Sequence, residues 1–90
     1  MTYEIFFTDN ASKQLKKLEK NEQERIIKSL ERIRIRPEAY VTKLIDDPGY
    51  RLRVGDYRVI LDMEKEKLII LVLMVGHRKN IYKNLQFTFL

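Results

Sequence analysis

The stretch Tyr50–Leu61, YRLRVGDYRVIL, decides the fold. Tyr50, Leu52 and Val54 alternate with Arg51 and Arg53; Tyr57, Val59 and Leu61 alternate with Arg58 and Ile60. Period-two alternation assigns each set to one face of a strand. Gly55-Asp56 between the two runs is a two-residue turn, with glycine supplying the positive φ. The stretch therefore reads as a β-hairpin. The short loop sets the register: Val54 faces Tyr57, Arg53 faces Arg58, Leu52 faces Val59 and Arg51 faces Ile60. Directly opposed residues share a face. One face is then a core face, and the other gathers Arg51, Arg53 and Arg58. Like charges opposed across a strand pair destabilise a sheet. Two readings fit the cluster: an anion held between the arginines, or three long side chains splayed into water.

Upstream, Tyr3–Thr8 alternates Tyr3, Ile5 and Phe7 against Glu4 and Phe6, which predicts a first strand. Thr8-Asp9-Asn10 offers N-cap chemistry, and Ala11, Leu15 and Leu18 follow at helical spacing. Asn21, with Glu24 three residues on, predicts a capping box for a second helix running to Arg36. Its stripe is Ile26, Ile27, Leu30 and Ile33, and Pro37 stops it. Leu15, Leu18 and that stripe are expected in the core. Residues 37–49 read as irregular, with Asp47-Pro48-Gly49 as turn chemistry. Lys43 and Leu44 are expected to tuck back towards the sheet. The carboxylates of Asp46 and Asp47 read as turn caps rather than metal ligands.

Downstream, Leu68–Val75, LIILVLMV, is apolar throughout, as in a strand buried on both faces. It predicts a central strand with helices on one side and the tail over part of the other. Gly76 ends it, and His77, Arg78 and Lys79 follow, then Tyr82. A basic cluster there is placed to face a pocket at the sheet's end.

The chain has 90 residues, enough for one domain with one modest core, spanning 1–90. Cysteine is absent, which excludes disulfides, thiolate metal sites and thiol nucleophiles, and a single histidine argues against zinc. No signal peptide or bilayer-spanning run is evident, so the cytoplasm is the expected compartment and no membrane partner is expected. The net charge of +5 is concentrated. Between Lys13 and Arg36, nine basic residues, Arg34 among them, stand against four acidic ones, which accounts for the whole excess. Such a block predicts contact with a polyanion or an acidic partner.

The order β-α-α-β-β-β, the string YRLRVGDYRVI and the ending VLMVGHRKNIY together resemble the RelE/ParE toxin superfamily, and RelE-type toxins in particular. The resemblance covers essentially the whole chain. It implies an α+β fold related to microbial ribonucleases, with two N-terminal helices on a twisted, mainly antiparallel four-stranded sheet. It implies a toxin of a type II toxin–antitoxin system, an mRNA interferase that enters the ribosomal A site and cuts mRNA without a metal or cofactor. A RelB-like antitoxin would wrap and neutralise it, and the complex would bind operator DNA. The family's functional positions fall on Arg51, Arg53, Arg58, Arg78 and Tyr82 as catalytic residues, with Lys43 in the preceding loop. His77, Lys79, Arg34 and Arg36 are added as RNA contacts on charge and position. Two departures stand out. The first-strand positions, lysines in well-studied RelE toxins, are arginines here, and the Arg78–Tyr82 spacing is shorter than in some members. A ParE-like inhibitor of DNA gyrase, a binding module without nuclease activity, is the alternative. ParE-type members usually lack this arginine set.

Overall fold

The computed structural model describes residues 2–45 and 47–81. The elements are β1 (Glu4–Phe7), α1 (Asp9–Lys16), α2 (Lys20–Ile33), a 3-10 turn (Pro37–Ala39), β2 (Val41–Lys43), β3 (Tyr50–Val54), β4 (Tyr57–Glu64) and β5 (Ile69–His77). The strands form one five-stranded sheet in the order β1-β5-β4-β3-β2. The α+β class and the two helices on one face are as expected; the strand count is five rather than four. The added strand is β2, a three-residue edge strand paired antiparallel to β3. It carries out the expected return of Lys43 towards the sheet. β1 pairs parallel to β5, and every other pairing is antiparallel.

The hairpin register is the one read from the sequence: Val54 opposes Tyr57, Arg53 opposes Arg58, Leu52 opposes Val59 and Arg51 opposes Ile60. Gly55 sits at φ 58°, the left-handed conformation the turn demands. β5 lies inside the sheet, between β1 and β4, and runs to His77, past Gly76. Its uninterrupted apolar run has a specific cause. Ile60 pairs with Met74 but Leu61 pairs with Val72, so Leu73 is an extra, bulged residue. The bulge reverses the alternation. Ile70, Val72 and Val75 join the helix-side core, while Met74 and Leu73 pack on the other face. Thr8 ties this point to the first helix: its Oγ1 accepts from the Ala11 N–H at 3.1 Å as the N-cap and donates to the Leu73 carbonyl at 3.2 Å.

The main core joins Ala11, Ile26, Leu30 and Ile33 of the helices to Leu52, Val54, Val59, Leu61, Ile70, Val72 and Val75 of the sheet. Leu15 and Leu18 pack against it, half-buried. Ile27 departs from expectation and is 38% exposed, because it falls on the flank of the α2 stripe. The second helix also starts and ends earlier than expected. Glu19 occupies its N-cap, Asn21 lies inside the first turn, where its Oδ1 accepts from the adjacent Glu22 N–H, and the helix closes at Ile33. Arg34 fastens that end: its carbonyl accepts from the Tyr3 N–H at 2.9 Å and its Nε donates to the Tyr3 carbonyl at 2.7 Å.

The sheet's second face carries a smaller cluster of Ile60, Met74 and Ile81, flanked by Leu44 and Leu73. Cover there comes from Ile81 and Leu44. The tail expected to cover this face, residues 85–90, lies outside the described residues, as do Asp46 and Tyr82. In the Asp47–Gly49 turn, Asp47 Oδ1 accepts from the Gly49 N–H at 2.7 Å, the expected cap.

Candidate functional site

On the second face, beside the small apolar cluster, lies an open cleft of about 540 Å³ lined by Tyr40, Thr42, Arg51, Arg53, Arg58, Arg78 and Lys79. Its construction follows from the register. Thr42 pairs with Arg51, and Arg51 with Ile60; Arg53 pairs with Arg58, and Arg58 with Gly76. Opposed residues share a face, so three arginines from adjacent strands project into one space. Arg78 and Lys79, just past β5, close its end.

Arg58 is the most constrained member. Only 8% of it is exposed, and its Nη1 donates to the Gly55 and Tyr57 carbonyls, each at 2.9 Å. Among the described residues no carboxylate lies within ion-pair distance of it. Among those residues its partners are carbonyl dipoles, and a buried guanidinium is costly unless a counter-ion is added. Arg78 is held by the same hairpin tip: its N–H donates to the Asp56 carbonyl at 2.8 Å, and its Nε lies 3.7 Å from Asp56 Oδ1. Arg78 is exposed, so that ion pair adds little energy, and its effect is orientation. The turn has a second supporter. The Arg25 guanidinium of α2 packs on Gly55 so closely that a Cβ there would meet its atoms at 2.7–2.8 Å.

Of the positions singled out in the sequence, the structure brings Arg51, Arg53, Arg58, Arg78 and Lys79 together. Tyr82 lies outside the described residues. His77 pairs with Tyr57 on the helix-side face, with ring centroids 5.5 Å apart, and does not line the cleft. Lys43 shares that face, its Nζ 6.0 Å from the centre of the Tyr50 ring. Arg34 is occupied with Tyr3 and Glu31, and Arg36 caps the 3-10 turn; neither lines the cleft. Two lining residues, Tyr40 and Thr42, were not anticipated. The signal for them was an aromatic followed by two β-branched residues, Tyr40-Val41-Thr42, just past the Pro37 turn.

The fold places the chain in a class of small α+β toxins. The model for the ParE toxin of the type II toxin–antitoxin system parDE matches residues 5–82. The chain belongs to this family, within the RelE/ParE toxin superfamily. Solved structures agree. A RelBE toxin–antitoxin complex from Mycobacterium tuberculosis is similar with a TM-score of 0.80 and 21% identity, over 86% of this chain and 99% of that one. That identity speaks for the fold alone. An archaeal RelE–RelB complex from Pyrococcus horikoshii gives 0.73 at 29% identity, over 87% and 97% of the two chains. The intact E. coli RelBE complex gives 0.71 at 31%, over 83% and 95%. No curated protein sequence matches. Among the described residues, no helix is long and apolar enough to cross a membrane.

Proposed function

We propose that this toxin is a RelE-like endoribonuclease that cleaves mRNA in the ribosomal A site and so stops translation in the cytoplasm. The observation that carries the reading is the cleft itself. Arg51, Arg53, Arg58, Arg78 and Lys79 share one open space, and Arg58 is buried there with no carboxylate in ion-pair distance among the described residues. A bound phosphate would supply the missing charge. Guanidinium groups match phosphate oxygens in paired hydrogen bonds and stay protonated throughout the physiological range.

Cleavage of this kind is attack of a ribose 2′-OH on the adjacent phosphate, with departure of the 5′-oxygen. The proton leaves the 2′-OH, negative charge builds on the phosphorane oxygens, and a proton reaches the leaving oxygen. The arginines answer the middle need. Preorganised donors aimed at a developing anion are usually the largest catalytic contribution, and removing one costs about 2.7–4 kcal/mol. Arginines cannot take the first proton. Among the described lining residues, Lys79 and Tyr40 have exchangeable protons suited to acid–base work, while His77 lies across the sheet.

The test is cell-free translation with wild type, Arg58→Ala and Arg78→Ala, reading protein synthesis and mRNA cuts at ribosomes. Each variant is expected to lose about 100-fold or more in cleavage. Equal inhibition by all three would remove the site assignment. The ParE family match favours a second reading, gyrase inhibition without nuclease chemistry. A DNA supercoiling assay separates the two, and inhibition of gyrase with mRNA left intact selects the second.

The partner expected in either case is a RelB-like, acidic antitoxin, with operator DNA bound only through the complex. Support comes from the archaeal and E. coli RelB-containing complexes that the chain resembles at 29% and 31% identity, and from its basic helices. Co-expression with the adjacent reading frame is expected to yield a co-purifying complex.

A further inference from the structure

Charge explains affinity for a phosphate, but it does not explain the aromatic ring on the cleft wall. Five large apolar side chains are exposed among the described residues: Phe6, Ile27, Ile35, Tyr40 and Ile45. Tyr40 alone of these lines the arginine cleft, and it is 49% exposed. Its backbone is fixed: its N–H donates to the Pro37 carbonyl at 3.0 Å, and Pro37 is fully buried. The β2–β3 register pairs Val41 with Leu52 and Thr42 with Arg51. Tyr40 stands just before that strand, at the close of the 3-10 turn. It lines the cleft together with Arg53 and Arg58, which oppose each other, and Arg58 pairs in turn with Gly76.

We infer that Tyr40 is a stacking platform for a nucleobase flanking the phosphate held by the arginines, so that the cleft accepts a single-stranded ribonucleotide rather than a bare anion. This inference rests on the RNA-cleaving reading above. A tyrosine has only two side-chain torsions, so holding its ring against a base costs little entropy. Every base has a π face, so the platform tolerates any sequence and holds the nucleotide's rotation about the phosphate. The Thr42 hydroxyl, on the same wall, can meet a base edge as donor or acceptor.

The test compares two uncleavable probes of equal phosphate charge, a 2′-O-methyl RNA trinucleotide and the same backbone with abasic sites, titrated at one fixed low salt. Tyr40→Ala is expected to weaken the trinucleotide about 10- to 100-fold and to leave the abasic probe within about twofold. Tyr40→Phe keeps the ring and is expected to bind both probes within about twofold of wild type. If Tyr40→Ala weakens neither probe, or weakens both equally, Tyr40 is not a base platform. Either result, with Arg58→Ala still weakening both probes, overturns this inference alone. If Arg58→Ala also leaves both affinities unchanged, the cleft is not an RNA site, and the proposed function falls with it.

Discussion

Under the proposed function, Arg58 concentrates the trade between stability and activity at one residue. Its guanidinium is buried, and its only described partners are two carbonyls of the hairpin turn. Replacing a buried charge with an apolar side chain of similar volume is often neutral or stabilising. Arg58→Met is therefore expected to unfold in urea at or above the wild-type midpoint, within about 1 kcal/mol, while cleavage is lost. A marked drop in midpoint would mean the residue serves the fold rather than an anion. Lys79 invites a different substitution pair. If it contributes charge alone, Lys79→Arg retains most activity and Lys79→Ala does not; if it accepts the 2′-OH proton, both lose it, because a guanidinium holds its proton. Single-turnover cleavage on programmed ribosomes distinguishes these outcomes. The arginines were legible from the sequence because alternation and a two-residue turn dictate their faces. His77 was not, because whether it faces the cleft depends on one bulged residue, Leu73, which no local pattern announces.

At the scale of elements, the hairpin tip is the joint that aligns the site. Gly55 and Tyr57 carbonyls hold Arg58, Asp56 holds Arg78, and Arg25 of α2 presses on Gly55 from outside. Gly55→Ala puts a Cβ at positive φ and into the Arg25 guanidinium, and is expected to cost about 1–2 kcal/mol by denaturant unfolding. In an Arg25→Ala background the steric part disappears and the backbone part remains, so the two substitutions are expected to be non-additive in a double-mutant cycle. Additive losses would show that Arg25 does not bear on the turn. The hairpin's register was readable because its loop is two residues long. The β2 edge strand was not, because three residues after a proline turn carry too little alternation to be told from loop. Nor was the parallel β1–β5 pair, which joins residues some sixty-five apart and leaves no local trace. The helices formed as expected in kind, but Ile27 left the core stripe and the ends shifted, since Glu19 rather than Asn21 occupies the cap.

Across the whole molecule, positive charge is divided between two faces. The arginine cleft lies on one side of the sheet, and the helices on the other carry Lys13, Lys16, Lys17, Lys20, Arg25, Lys28 and Arg32, all exposed. A ribosome presents a polyanionic surface far wider than one mRNA phosphate. Under the proposed function, then, the helix face guides docking while the cleft performs chemistry. The two contributions separate kinetically. Lys13→Glu/Lys16→Glu/Lys20→Glu removes exposed charge without touching the core or cleft, so it is expected to fold as wild type. It is expected to raise KM for ribosomes at low salt, leave kcat within about twofold, and flatten the dependence of affinity on salt, because fewer counterions are released on docking. The difference from wild type should shrink as salt rises, since screening shortens the reach of exposed charges to about 8 Å at physiological ionic strength. Arg53→Ala, in the cleft, should behave in the opposite way, lowering kcat with a smaller change in KM. Should the triple variant lose kcat and keep its affinity, the helix face would belong to catalysis and the division of labour between the two faces would be wrong.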